Sequence, residues 1–364
     1  MKLKEITDHL ASFAPLAYQE SYDNAGLITG NHDMIISGIL ICLDSIEETI
    51  DEAIEKECNL IISHHPIVFS GLKTLTGKTL IERIIIKAIK NNIAIYAAHT
   101  NLDNVIHGVN KKIADKLGLV NCKILLPKNK LLRKLITYCP TDQSEAVRQA
   151  LFLAGAGEIG NYNECSFNTE GFGTFRASPN AKPQIGEKGK QNREKEIKIE
   201  VIYAMHLESN LLKALFASHP YEEVAYDLIT LENNYALVGS GMIAELEKEE
   251  EELFFLKRLK LIMQTPYVRH TRLLGKKIKK VALCGGSGSF LIPNAIASGA
   301  DLFITADMKY HQFFDAQNKL IIADIGHYES EQFTQELFYD ILSKKFPTFA
   351  LHLSKINTNP INYL

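Results

Sequence analysis

Short apolar runs alternate with segments of helical periodicity along residues 1–125. The predicted elements, in chain order, are a helix at 2–17, a strand at 37–43, a helix at 44–56, a strand at 59–63, a helix at 78–91, a strand at 93–98 and a helix at 107–117. Asp44 and Ser45 are predicted to cap the second of these helices. The strands are continuously apolar, whereas apolar residues recur every three or four positions in the helices. Because strand–helix–strand connections give parallel strand pairs, this part of the chain predicts a doubly wound α/β sheet.

The pattern changes near residue 130. The expected elements are a strand at 132–139, a helix at 144–153, turns at Gly155–Gly157 and Gly171–Gly173, an exposed polar loop at 178–198, a strand at 197–203, a helix at 207–218 and a strand at 224–231. This order of strands and helices, about 100 residues long, is typical of a small α+β, ferredoxin-like module. We therefore predict an inserted domain at 129–235.

The last third of the chain returns to the α/β pattern of the first. A charged helix is predicted at 245–263, followed by strands at 280–284, 301–305 and 320–324, a helix at 290–298 and a C-terminal helix. Ile39–His64 and Val281–Ala306 match in length and in element order, which indicates a duplicated unit. The sequence thus predicts two similar α/β halves with a mixed or parallel sheet, at 1–128 and 236–364, that flank the inserted domain.

Composition restricts the class of protein. Hydrophobic residues make up 46% of the chain and charged residues 23%, with a net charge of -3, so no basic excess favours nucleic-acid binding. No apolar run reaches the roughly 20 residues that a membrane span needs, and the N-terminus lacks a signal-peptide core. The six cysteines are scattered without a CxxC motif, which argues against disulfides and cysteine zinc sites. We expect a cytoplasmic protein with no membrane partner.

Candidate metal ligands follow the predicted strands of both halves. The first half offers His64, His65 and Asp103, and the second offers His327 and Glu331. If the two halves pack face to face, these strand ends converge. Imidazoles and carboxylates suit Zn, Fe, Mn or Ni, and five ligands are too many for one tetrahedral zinc with an open position. They fit a centre of two divalent ions, in which a carboxylate and a water bridge the metals.

Each candidate also has a purely structural interpretation. The His64–His65 pair is compatible with a polar loop at a strand end, and His327 with Glu331 is compatible with a solvated helical turn. His99 is either a ligand or a group that orients one. Lys309 is a candidate to meet an anionic substrate and His311 to move protons, although both equally suit a polar rim. The loop Gly285–Ser289 either contacts a phosphate or forms a tight turn between strand and helix.

Several motifs together resemble a known family. They are Tyr22-Asp23-Asn24-Ala25-Gly26-Leu27, Ser63-His64-His65-Pro66, His99-Thr100-Asn101-Leu102-Asp103, Thr305-Ala306-Asp307-Met308-Lys309-Tyr310-His311 and Gly326-His327-Tyr328-Glu329-Ser330-Glu331. In this order they are similar to the GTP cyclohydrolase 1 type 2-like, or Nif-three-like, dinuclear metal-binding family. Members often carry Thr-Gly-Asp where this chain has Thr305-Ala306-Asp307. The segment around His219-Pro220-Tyr221 resembles the CutA/PII-like insert of the longer bacterial members.

The resemblance implies a metal pair held by the five candidate ligands, and a toroidal homohexamer whose sites face an inner cavity. We expect a metal-dependent hydrolase that acts on a phosphoester, an amidine carbon or an amide, with a nucleotide or another small anionic molecule as substrate. The name GTP cyclohydrolase is a family label rather than a mechanism. Beyond the candidates His99, Lys309 and His311, no catalytic residue is assigned. The alternative is a non-catalytic hexamer that binds metal, senses it or scaffolds partners.

Overall fold

The computed structural model describes all residues 1–364 and divides into two compact units. The core unit comprises residues 1–127 and 236–364, and the inserted unit comprises residues 128–235. Eleven α-helices and three sheets confirm the predicted α/β class. None of the helices combines the length and the apolar character needed to cross a membrane.

The first half of the core unit follows the predicted alternation of strands and helices. Its elements are α1 (Leu3–Phe13), β1 (Gly26–Thr29), β2 (Ile39–Cys42), α2 (Glu47–Glu55), β3 (Leu60–Ser63), α3 (Leu80–Lys90), β4 (Ala94–Ala97), α4 (Thr100–Asp103), α5 (Val109–Lys116) and β5 (Val120–Lys128). Every residue of β2, β3 and β4 is buried, as expected for parallel strands covered on both faces. Removing each such aliphatic side chain from water contributes about 1.5–3 kcal/mol.

The inserted unit is an antiparallel sheet with two helices. Its elements are β6 (Leu132–Pro140), α6 (Ser144–Leu153), β7 (Ser166–Arg176), β8 (Gln191–Ala204), α7 (Glu208–Ser218) and β9 (Tyr226–Leu231), and the strand order is β7-β8-β6-β9. The two helices contribute Val147, Leu151, Leu211 and Leu215 to one apolar core with the buried face of the sheet. Two sequence predictions were wrong here, because Gly171–Gly173 lies inside β7 and the loop predicted at 178–198 gives way to β8 at Gln191.

The second half of the core unit repeats the first in a modified form. Its elements are β10 (Tyr235–Glu251), α8 (Glu252–Ile262), β11 (Arg269–His270), β12 (Lys277–Ser287), α9 (Ile292–Ala297), β13 (Leu302–Ala306), β14 (Ile321–Asp324), α10 (His327–Glu331), α11 (Thr334–Lys345) and β15 (Leu351–Leu353). The start of the helix predicted at 245–263 was wrong, since residues 245–251 extend β10, which pairs with β12, and the helix α8 begins at Glu252. Ala244 and Leu246 are buried while Glu245 is not, which is a strand period that the run of glutamates conceals.

The strand orders of the two core sheets confirm the duplication. The first sheet runs β1-β4-β3-β2-β15 and the second runs β11-β14-β13-β12-β10-β5. In each sheet the three central strands are parallel, and a short antiparallel strand closes the same edge.

The two halves also exchange strands. The C-terminal strand β15 pairs with β2 in the first sheet, while β5 from the first half closes the second sheet. The carboxyl ends of the central strands of both sheets carry the candidate ligands.

Replacement of Gly108 by alanine is expected to destabilise the core unit by about 3 kcal/mol, because a Cβ there would lie 1.7 Å from the Leu102 carbonyl oxygen, beside Asp103. Chemical denaturation measures the loss in the free energy of unfolding. Gly71→Ala is the matched control, since a Cβ at Gly71 meets nothing within 4 Å and should change stability by less than about 0.5 kcal/mol. Equal stabilities for the two variants would contradict this packing.

Candidate metal centre

Five side chains predicted as ligands lie together in the core unit. His64 and His65 directly follow β3, Asp103 ends α4, and His327 and Glu331 are the first and last residues of α10. Both halves of the duplication therefore contribute to one cluster, as the convergence of strand ends predicts.

Glu331 lies at the middle of this cluster. Its Oε1 is 3.8 Å from His64 Nε2, whereas its Oε2 is 3.0 Å from His65 Nε2 and 3.1 Å from His327 Nε2. Asp103 Oδ1 lies 3.6 Å from His64 Nε2, on the same side of the cluster as Glu331 Oε1. Two groups that can hold a metal ion, His64–Asp103–Glu331 and His65–His327–Glu331, thus share one carboxylate.

Three buried polar atoms in the cluster have no hydrogen-bond partner. They are His64 Nε2, Asp103 Oδ1 and Glu331 Oε2, and the His64 side chain is fully buried. A buried polar atom without a partner costs about 1–3 kcal/mol, so native proteins nearly always satisfy such groups. Lone pairs of imidazole and carboxylate that converge on one point fit a cation, and the cluster can therefore hold a metal ion.

The histidines are oriented through their other ring nitrogen. His64 Nδ1 donates to the Ala98 carbonyl at 2.9 Å, and His65 Nδ1 donates to Asp44 at 2.7 Å. His327 Nδ1 donates to Asp307 at 2.7 Å. With Nδ1 protonated, Nε2 is the atom left to bind a cation, which is the arrangement common around metal-bound histidines.

The charged groups of the cluster shift one another's pKa values. Burial opposes protonation of His65, but the nearby carboxylates of Asp44 and Glu331 outweigh it and raise its pKa to about 10. Burial likewise opposes protonation of His327, yet the charge of Glu331 and the bond to Asp307 raise its pKa to about 11. Burial and the neighbouring Glu331 raise the pKa of Asp103 well above its usual range. Protons thus balance the buried carboxylates, and a bound cation must displace them.

His99 lies beside the same cluster with a carboxylate of its own. Its ring nitrogens group with those of His64 and His65, and its Nδ1 is 2.8 Å from Asp23 Oδ1. Asp23 also accepts hydrogen bonds from the Thr100 amide at 3.0 Å and the Thr100 hydroxyl at 2.5 Å. Although burial opposes ionisation of Asp23, the bonds from His99 and Thr100 lower its pKa to about 2. Asp23 thus fixes the His99 ring through Nδ1, and Nε2 is the ring nitrogen that this bond leaves available.

Three amides of the segment Gly285–Ser289, whose first three residues extend β12, are occupied within the protein. The N–H groups of Gly285, Gly286 and Gly288 donate to the side chains of Asn110, Ser330 and Thr305, at 3.0, 2.9 and 2.9 Å. The alternative predicted for this loop, a tight turn between strand and helix, is what the structure contains. A Cβ on Gly286 would lie 2.4 Å from Glu331 Oε1, so the glycine makes room for the shared carboxylate.

Lys309 and His311 lie elsewhere. Both side chains are exposed, and neither lines the cavity of about 650 Å³ that opens onto His65, His99 and Glu331. His311 packs instead against the exposed rings of Tyr310 and Phe314. Of the three candidate catalytic residues, the structure brings only His99 to the cluster.

The sequence profile of the Duf34/NIF3 (NGG1p interacting factor 3) family matches residues 1–360. The chain belongs to the Duf34/NIF3 family. The GTP cyclohydrolase 1 type 2 homolog of Bacillus subtilis is 38% identical over 371 residues, which cover 99% of this chain and 98% of the relative. The homolog of Staphylococcus aureus strain MW2 is 35% identical over 371 residues, which cover 100% of this chain and 100% of the relative. A crystal structure of a Bacillus cereus protein related to NIF3 superposes with a TM-score of 0.86 at 37% identity, covering 100% of this chain and 99% of that one.

Sequence reasoning missed the carboxylates that orient the histidines of this Duf34/NIF3 chain. Asp44 was predicted to cap α2, but Ile46 occupies the cap position and Asp44 accepts from His65. The signal lay in the strand register. Cys42 pairs with Ser63, so residues two positions further on, Asp44 and His65, are neighbours at the edge of the sheet.

Replacement of Gly286 by alanine should weaken metal binding by this Duf34/NIF3 chain roughly 10- to 100-fold, because the new Cβ would displace the Glu331 carboxylate. Competition with a fluorescent chelator measures the affinity. Gly286 has a φ of +62°, so Gly299→Ala, at a φ of +71° with open space around the Cβ, is the control for backbone strain alone. If both variants lose affinity equally, crowding of Glu331 is not the cause.

Proposed function

We propose that this chain is a hydrolase that uses two divalent metal ions held by His64, His65, Asp103, His327 and Glu331. The observation that carries the proposal is the shared carboxylate, since Glu331 directs one oxygen toward each of two separate groups of ligands. The unpartnered buried atoms on both sides support it as well. The relatives are named GTP cyclohydrolase 1 type 2 homolog, and a cyclohydrolase opens a ring with water.

A pair of divalent ions supplies Lewis acidity and makes water nucleophilic near neutral pH. The protein's own residues supply orientation. Asp44 and Asp307 hold the rings of His65 and His327, so Nε2 of each ring faces Glu331. A second bond fixes Asp44, because the Thr358 hydroxyl donates to its other oxygen at 2.5 Å.

His99 is our candidate for proton transfer. Asp23 accepts the hydrogen bond from Nδ1–H, which keeps the proton of the neutral ring on Nδ1 and leaves Nε2 unprotonated. Nε2 can take a proton from the attacking water and return it to the leaving group. Asp23 is a positioning residue, since it acts on the reaction only through His99.

Metal analysis and a substrate screen test the proposal. We expect two Zn, Fe, Mn or Ni ions per chain, and a loss of turnover of at least about 100-fold when a chelator removes them. Restoring the metal should restore turnover. The screen contains amides, amidines and phosphoesters. Undiminished turnover by metal-free protein would contradict the proposal, and two bound ions without turnover of any substrate would favour a non-catalytic metal-binding or scaffold protein.

Assembly and location are further proposals. We infer a toroidal homohexamer in the cytoplasm, as the likeness to the family and the absence of paired cysteines suggest. Light scattering coupled to gel filtration measures the mass of the particle. A monomer or a dimer at cellular concentration would contradict the hexamer.

A further inference from the structure

The cavity above the metal cluster has an unusual balance of charge. Neither lysine nor arginine lines it, whereas four carboxylates do, namely those of Glu20, Asp44, Asp103 and Glu331. Two divalent ions would bring four positive charges, and these four carboxylates balance them. A substrate with several negative charges would find no surplus of positive charge here.

The negative charge of the lining also acts at the rim of the cavity. Burial raises the pKa of Tyr22, and the negative charges of Glu20, Asp23 and Asp103 raise it further. Arg269, whose charge lowers the pKa of Asp307, is occupied elsewhere, since it pairs with Asp324 and donates to the Met308 carbonyl at 3.0 Å. The electrostatics therefore disfavour a phosphorylated ligand at the mouth as well as at the floor.

Aromatic rings surround the mouth. Tyr22, Phe69 and Phe290 line the cavity and remain 70%, 53% and 58% exposed, although burying such large rings is favourable. The Phe69 ring meets the His99 ring edge-on, with centroids 5.7 Å apart and an interplanar angle of 84°. Exposed rings beside a polar site bind planar groups by stacking. A flat ligand seated against Phe69 would lie next to the His99 ring.

Apart from the histidines, the remaining polar groups of the cavity are uncharged. Ser240, Ser287 and Asn359 contribute hydroxyl and amide groups to the lining. Such groups recognise the carbonyl and amino edges of a heterocycle by hydrogen bonds. The volume of about 650 Å³ suits one small molecule.

We propose that the substrate of this cavity is an uncharged, planar heterocyclic compound, in which an amide or amidine C–N bond is hydrolysed, and that phosphorylated compounds are disfavoured. This inference rests on the proposed hydrolase. The oxygen of water bonds to the carbon, its proton passes to His99 Nε2, and the C–N bond breaks with its electron pair on nitrogen. His99 then returns the proton to that nitrogen. An amide gives a carboxylic acid and an amine, one water is consumed and His99 is restored.

A matched pair of ligands tests the charge preference. Guanosine and guanosine 5′-monophosphate share base and sugar and differ by one phosphate, so calorimetric titration of each into the Mn²⁺-loaded full chain isolates the effect of charge. We expect guanosine to bind at least tenfold more tightly, and the magnesium complex of GTP to bind more weakly still. Phe69→Ala should reduce the affinity for guanosine, whereas Leu72→Ala, an exposed residue outside the cavity lining, should not.

The outcomes distinguish this inference from the proposed hydrolase function on which it rests. Tighter binding of the monophosphate or of GTP would overturn the charge preference while leaving a metal-dependent hydrolase in place. Failure of guanosine and of other uncharged purines and pteridines to bind would also overturn it. If uncharged heterocycles bind with the expected preference but none is turned over, the ligand class stands and the hydrolase proposal fails.

Discussion

His64→Ala is expected to lose at least one of the two metal ions and essentially all turnover. The His64 side chain is fully buried, and its Nε2 faces Asp103 and Glu331. Losing one ligand of a preformed site weakens metal binding by orders of magnitude, because the ion loses one of its bonds to the protein. Metal content by mass spectrometry and turnover of any substrate from the screen measure both effects.

The matched variants for this experiment are His64→Gln and His32→Ala. Glutamine keeps much of the volume of His64, so metal loss in both variants at position 64 excludes a packing defect as the cause. His32 is exposed and lies outside the cavity lining, so its replacement should leave metal content unchanged. Turnover at the wild-type rate by a metal-free His64 variant would refute the proposed function.

Asp23→Asn is expected to reduce turnover about 100-fold or more while both metal ions stay bound. The amide keeps the size of the carboxylate but no longer fixes the proton on His99 Nδ1, so the population of the required tautomer falls. Since Asp23 has a pKa of about 2, it stays ionised across the assay range, and its own titration does not shape the pH profile.

A double-mutant cycle distinguishes this positioning role from a structural one. His99→Gln should cost about as much turnover as Asp23→Asn, and the double variant should be no worse than the worse single variant, because the two residues act as one unit. Metal content and melting temperature serve as the independent readouts. Additive losses in turnover, or loss of metal from Asp23→Asn, would contradict the assignment.

Hydrophobic runs and their spacing were sufficient to predict the central strands of both core sheets. Continuous apolar runs such as Leu60–Ser63 have few alternatives to a buried parallel strand, and the match between two such units revealed the duplication. The candidate ligands could then be predicted, because they stand directly after these strands. Their convergence on one cluster is the part of the site that the sequence predicted best.

What the sequence did not predict depends on contacts between distant segments. The strands β5 and β15 each complete the sheet of the opposite half, and no local pattern specifies which edge a strand joins. From the sequence alone, Asp44 is interpreted as a helix cap, and Asp307 stands in a segment that suits a polar rim. Their role becomes visible only when the register places them beside His65 and His327.

The exchange of strands has a consequence for biosynthesis. His65 and His327 are 262 residues apart in sequence, yet their Nε2 atoms lie 3.3 Å apart. A nascent chain that has not reached residue 327 carries only His64, His65 and Asp103 of the candidate ligands, and the first sheet lacks β15 until residues 351–353 emerge. The full set of candidate ligands is therefore present only after residue 331 has been made, and until then the growing chain carries the first half of the cluster without the second.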